Sequence, residues 1–125
     1  GDGSIQIVDG DMQTIMAGLA CGEPNTISWD ILKNHVDTFV SAPDWVAAKG
    51  MRMLSAPIKG DPQVVSGESG AAPFGVLACI MTMDEYKELR EHLRLDENSK
   101  VLLFSTEGDT DPERYKNIVW EGKER

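Results

Sequence analysis

The chain has 125 residues, 41% of them hydrophobic, and a formal net charge of -9 at pH 7, enough apolar content for a modest core without disulfides and too much for a disordered chain. So negative a balance argues against a nucleic-acid or anionic-membrane partner, either of which calls for a basic face. No run approaches the roughly 20 apolar residues that span a bilayer, and no charged-then-apolar leader opens the chain, so a cytoplasmic setting is expected.

Residues Gly1 to Asp11 carry Gly-Asp punctuation around Ile5 and Ile7-Val8 and read as a loop or short strand. Asp11 then caps a helix whose apolar face is Met12, Ile15, Met16 and Leu19, and Gly22 and Pro24 end it. Ser28 caps a second helix with Ile31, Leu32, His35 and Val36 on one face, where His35 is a packing residue. Thr38-Phe39-Val40-Ser41 reads as a short buried strand closed by Ala42-Pro43. Asp44 caps the next helix, through Val46, Ala47, Met51 and Leu54, which ends before Pro57. Beyond the turn residues Lys59-Gly60-Asp61-Pro62, Val64-Val65-Ser66 is a second strand, broken at Gly67.

Residues 70 to 93 form a long helical region with Pro73 in its first turn. Thr82-Met83-Asp84-Glu85 splits it, with Thr82 as cap of the second half. Val101-Leu102-Leu103-Phe104 is the clearest strand, residues 105 to 112 are loop, and Tyr115, Ile118, Val119 and Trp120 can dock a final short helix. Helices alternating with continuously apolar strands predict an α/β fold, a parallel sheet with helices on both faces. Three clear strands are few for a self-standing sheet of that class.

In open α/β sheets ligands gather at the carboxyl ends of strands. Two polar, glycine-bearing segments hold that position, Ser66-Gly67-Glu68-Ser69-Gly70 and Ser105-Thr106-Glu107-Gly108-Asp109. Glycine there lets backbone approach a ligand, and a following helix N-terminus favours an anion. Ser66 and Ser69 are equally candidates for helix caps, and Glu68 for a dipole partner. Gly67-Glu68-Ser69-Gly70-Ala71 misses the G-x-S-x-G nucleophile elbow by its last residue. A hydrolase would also have to recruit His92 from a charged helix, so that chemistry is disfavoured. Asp2, Asp9 and Asp11 lack EF-hand spacing, and no metal site is expected. Cys21 and Cys79, each among apolar residues and without CxxC spacing, read as buried, inert thiols of a reducing compartment.

Three segments, in order, are similar to one group of enzymes. Residues 14 to 24 (TIMAGLACGEP), followed by Ser28-Trp29, resemble a segment of the diaminopropionate ammonia-lyases. Residues 65 to 72 (VSGESGAA) resemble the Glu-x-x-Gly-Ala helix start of the serine and threonine dehydratases. Residues 103 to 111 (LFSTEGDTD) resemble the C-terminal Ser-Gly-x-Gly-Asp-x-Asp loop of tryptophan synthase β chains. Together they mark the fold-type-II pyridoxal-phosphate enzymes over nearly the whole chain, and the first segment points to the diaminopropionate family.

That resemblance implies a tryptophan synthase β-like fold, pyridoxal 5'-phosphate as cofactor and a small amino-acid substrate. The full-length enzyme would be a homodimeric carbon–nitrogen lyase that converts 2,3-diaminopropionate to pyruvate and ammonia by α,β-elimination. Position by position, Ser105 matches the hydroxyl that hydrogen-bonds the pyridine nitrogen, and Glu68 an acidic residue near the ring. Ala17 and Gly18 match backbone beside the substrate–cofactor adduct. A neutral hydroxyl at the pyridine leaves its nitrogen largely unprotonated, which suits elimination better than transamination.

The family's Schiff-base lysine and Gly-rich phosphate loop have no counterpart here. Lys33, Lys49, Lys59, Lys87 and Lys100 lie outside any family lysine motif, so the catalytic residues are unassigned. Residues 1–125 are therefore expected to be the C-terminal part of the lyase catalytic domain, in a two-domain enzyme on the order of 300 residues long. A serine/threonine dehydratase-like enzyme shares Glu68 and Ser105 but not the first segment, and a non-catalytic α/β interaction module is the other alternative. The chain by itself is expected to have no lyase activity and to give no substrate-responsive absorbance with pyridoxal phosphate. Stoichiometric cofactor binding with pyruvate production would overturn this reading.

Overall fold

In the computed structural model, which describes residues 4–125, the chain is helical. Asp2 and the start of the opening loop lie outside the described residues. The helices are α1 (Thr26–His35), α2 (Asp44–Ser55), α3 (Glu68–Thr82), α4 (Lys87–His92) and α5 (Pro112–Val119), with 3-10 turns at Ala17–Leu19 and Asp84–Tyr86.

Small residues decide how α2 and α3 meet. Val46, Ala47, Ala48, Gly50 and Met51 are buried on α2, and Ala71, Ala72, Gly75, Ala78, Cys79 and Ile80 on α3. Gly50 follows Val46, and Gly75 follows Ala71, by four residues, so each pair forms a ridge of one helix packing into the other. A Cβ on Gly75 would fall on the Val46 carbonyl oxygen, and one on Gly50 on the Ala71 carbonyl oxygen. The two backbones are in direct contact there. Ile118 of α5 joins Ala48, Met51 and Ala71 in one core cluster, and Met16 joins Ala47 and Ala72 in another. Arg52 fastens the tail to α2 by donating to the carbonyls of Ile118, Lys123 and Glu124 at 3.0–3.1 Å.

The helix from Asp44 forms as expected, but its first residue does other work. The Asp44 carboxylate accepts from the Ile15 amide at 3.0 Å and from the Thr14 hydroxyl, while Asp11 accepts from the Gln13 amide at 3.1 Å. The Asp11 bond is one an N-cap makes, but the Ile15 amide, the first that a helix over residues 12 to 19 would return to its own carbonyls, goes to Asp44, and the segment makes only the 3-10 turn. α1 is capped by Asn25, which accepts from the Ser28 amide, not by Ser28. It buries no residue, with Ile27 74% exposed, so His35 is exposed instead of packed. α3 begins at Glu68, which puts Pro73 inside the helix and beyond its first turn. Thr82 closes α3 by donating to the Ala78 carbonyl and does not cap the second half of the helical region. Cys79 is buried as expected, Cys21 is exposed, and both are free thiols. No helix among the described residues is long and apolar enough to cross a membrane.

The expected α/β parallel sheet with helices on both faces is not there: the described residues contain no strand. A strand exists only where a neighbour supplies partners for its amides and carbonyls. The apolar runs find none of one another: Val8 donates to Gly22 and Val64 to Leu54, and residues 101 to 104 share no backbone bond with residues 38 to 41 or 64 to 66. Phe39, Leu102 and Phe104 are 70–77% exposed, so apolar character at these positions did not translate into burial.

Gly75→Ala is expected to destabilise the protein by about 1–3 kcal/mol through overpacking, whereas Gly10→Ala, with nothing within 4 Å of the added Cβ, is expected to be near neutral. Denaturant titration of the two variants checks this; equal midpoints would show that the helices separate at little cost.

Candidate functional site

Two loops meet at the N-terminus of α3. The first runs into the helix through Ser66 and Gly67. Ser66 is 1% exposed, and a buried hydroxyl needs a partner. It has one in Ser105, whose Oγ lies 2.6 Å away, with the proton on either atom. Ser66 also donates to the Gly67 carbonyl at 3.2 Å, while the Ser105 contact with the Glu107 carbonyl, at 3.5 Å, is at the limit of a hydrogen bond. The pair thus leaves Ser105 free to accept a proton or to donate one outward, depending on which way Ser66 turns. Gly70 lies below it: a Cβ there would stand 2.8 Å from both hydroxyl oxygens. Glycine keeps that space open for the pair.

The second loop supplies the helix cap. α3 has Gly67 at its N-cap and no side-chain cap of its own, leaving first-turn amides in need of acceptors. Glu107 provides them. Its Oε1 accepts from the amides of Ser69 at 2.8 Å and Gly70 at 3.1 Å, and its carbonyl accepts from the Gly67 amide at 3.1 Å. Neither Ser66 nor Ser69 caps the helix. The positive end of the helix dipole, which would otherwise favour an external anion, is satisfied by the protein's own carboxylate.

The other expected site residues distribute around this point. Gly18 approaches the first turn of α3 closely enough that a Cβ on it would lie 3.1 Å from Ser69 Oγ. Ala17 is exposed in the adjoining 3-10 turn. Glu68 is paired elsewhere: its carboxylate, 13% exposed, lies 3.9 Å from Arg114 of α5, which is also 3.6 Å from Asp111. The structure therefore joins Ser105 to Ser66, sets Gly18 against Ser69, and pairs Glu68 with α5. Glu107 was missed as a functional residue. The available signal was a helix start with glycine at the cap, which must borrow an acceptor from elsewhere.

Beside this junction lies an open cavity of about 760 Å³ between residues 14–19, residues 38–42 and α3. Met16, Leu19, Val40, Ala72 and Val76 give it an apolar wall, and Thr14, Ser41 and Ser69 add polar groups. Its size is that of a small-molecule site. His35 and His92 are exposed, and the hydroxyl bonds of Ser66 and Ser105 go to each other and to backbone carbonyls, not to a histidine. No group of three or more His, Cys, Asp or Glu among the described residues could hold a metal ion.

Over 121 residues, 97% of its length, the chain is 53% identical to diaminopropionate ammonia-lyase of Escherichia coli strain K12 and covers 30% of that protein. A crystal structure of the Escherichia coli enzyme in complex with an aminoacrylate-PLP azomethine reaction intermediate matches with a TM-score of 0.85 and 52% identity, over 89% of this chain and 29% of that one. A second, in complex with D-serine, gives 0.82 and 50% over 86% and 27%. No family model matches the chain. The resemblance carried by residues 14 to 29 extends over 97% of the chain, which spans about 30% of the length of the curated relatives it matches.

Ser66→Ala is expected to cost about 0.5–1.5 kcal/mol of stability by removing the buried hydroxyl bond to Ser105. Chemical denaturation checks it, with Ser41→Ala as the exposed comparison; a loss no larger than at Ser41 would mean the pair contributes nothing.

Proposed function

We propose that this chain is the part of a diaminopropionate ammonia-lyase that faces the pyridine nitrogen of pyridoxal 5'-phosphate. The whole protein would convert 2,3-diaminopropionate to pyruvate and ammonia by α,β-elimination. The observation that carries this is the Ser66–Ser105 pair at the start of α3, with Gly18 closing on Ser69 one turn away. All three segments that resemble the family thereby converge on one helix end.

The residues present fit one end of the cofactor. Ser105 is exposed and backed by a buried partner, which suits a hydroxyl that must reach a ring nitrogen. The phosphate end has no fit here, because Glu107 fills the α3 N-terminus. No lysine lines the cavity. The phosphate loop and the Schiff-base lysine therefore belong, on this reading, to chain outside these 125 residues, and this chain to the C-terminal part of the catalytic domain.

When bound, pyridoxal phosphate supplies the electron sink for loss of the α-proton and the β-amino group. The contribution of this chain is placement. On this reading Ser66 turns its one proton from the Gly67 carbonyl to Ser105, which would leave the Ser105 proton for an unprotonated pyridine nitrogen. A hydroxyl carries no charge to protonate that nitrogen, which keeps the sink weak and favours elimination. Ala17 and Gly18 would offer backbone to the bound substrate and cofactor, and the apolar cavity wall would exclude water from them. The Glu68 carboxylate, 3.9 Å from Arg114 and not bonded to Ser105, would supply the acidic group that the resemblance sets near the ring. The same reading makes the full-length enzyme a cytoplasmic homodimer with neither nucleic acid nor membrane as partner, and the charge of -9 supports the latter.

In the full-length enzyme, Ser105→Ala is expected to cost about 0.5–1.5 kcal/mol of cofactor affinity. Ser105→Asp should shift the cofactor absorbance toward that of a protonated ring and change the ratio of elimination to side reactions. If both variants keep wild-type cofactor spectra and affinity, Ser105 is a loop residue and the assignment is wrong.

A further inference from the structure

Resting on the assignment of Ser105 to the pyridine nitrogen, we propose that Glu107 is the positioning residue that sets where the Ser105 hydroxyl points. Ser105 lies in a loop without regular secondary structure and is exposed. Apart from Ser66, no other side chain orients it. An exposed loop serine held by one bond and a marginal 3.5 Å contact with the Glu107 carbonyl can exchange rotamers, and hydrogen-bond catalysis needs a fixed one.

The constraint comes two residues later. Glu107 binds the α3 start three times, through its carboxylate to the Ser69 and Gly70 amides and through its carbonyl to the Gly67 amide. Side chain and backbone grip the same helix end, so residue 107 cannot shift without breaking both. One residue, Thr106, separates this anchor from Ser105. Residue 66, the partner of the Ser105 hydroxyl, directly precedes Gly67. The clasp therefore registers one loop against the other at the point where the two hydroxyls meet. The carboxylate, half-buried and bonded to helix amides, is committed to the protein. Glu107 acts through Ser105 and touches no substrate.

The test uses the full-length enzyme carrying Glu107→Ala, Glu107→Gln, Ser105→Ala, or Ser105→Ala with Glu107→Ala. In cofactor-free protein, exchange of the Ser69 and Gly70 amides should quicken about tenfold or more in Glu107→Ala and far less in Glu107→Gln, whose amide oxygen still accepts. In the holoenzyme, Glu107→Ala should reproduce the altered cofactor absorbance of Ser105→Ala and lower cofactor affinity by about 2–10-fold. Glu107→Gln should largely restore both, and the double variant should be no worse than Ser105→Ala. If Glu107→Ala quickens exchange yet keeps wild-type cofactor spectrum and affinity while Ser105→Ala alters them, Glu107 is a helix cap only. That outcome overturns this proposal and leaves the pyridine contact standing. Fully additive losses in the double variant overturn it as well. A silent Ser105→Ala instead refutes the pyridine contact itself, and the positioning role falls with it.

Discussion

The backbone contact between α2 and α3 is the constraint on which the other features depend. With no side chain at Gly50 or Gly75, carbonyls of one helix rest against the other at Ala71 and Val46. Interiors are close-packed, so such a contact leaves little freedom in crossing angle or register. Met16 and Ile118 then fill the space on either side of it. Fixing α3 in this way also fixes its N-terminus, and the candidate site is built on that end.

A helix start with glycine at the cap is an unfinished structure, because its first amides lack acceptors. Here the missing acceptor arrives from a loop far along the chain. The helix gains a charge-assisted cap, and the loop gains an anchor. The two serines that meet as a result come from opposite sides of the junction, one buried and one exposed. That asymmetry suits binding: the buried hydroxyl supports, and the exposed one is available. It also explains why the dipole of α3 is not free to hold a phosphate, although a glycine-bearing turn before a helix suggests such a site.

Asp44 plays a similar part at the start of α2. Its carboxylate leaves its own helix and binds Thr14 and Ile15, drawing residues 14 to 19 over the α2–α3 pair. Gly18 comes to rest against Ser69 because of that contact and the burial of Met16. Two acidic residues, Asp44 and Glu107, thus place the two irregular segments that flank α3. Neither placement relies on regular structure in the segment it fixes.

Features set by near neighbours in the chain were legible without the structure. The apolar period of α2, the break near residue 83 and the docking of α5 by Ile118 all come from local spacing. So did the two polar, glycine-bearing segments around Ser66 and Ser105, which the structure brings together at the start of α3. Features that need a distant partner were not legible. The run Val101–Phe104 is as apolar as a core strand, yet a strand requires a ladder partner and none was supplied. Residues 12 to 19 have helical spacing, yet Asp44, about thirty residues away, took their donors. Glu107 caps α3 across 38 residues and Ser66 meets Ser105 across 39. By itself the sequence determined which residues could bond and which faces were apolar. Only the tertiary structure decided which of them met, because hydrogen bonds and burial depend on distance in space and not on position in the chain.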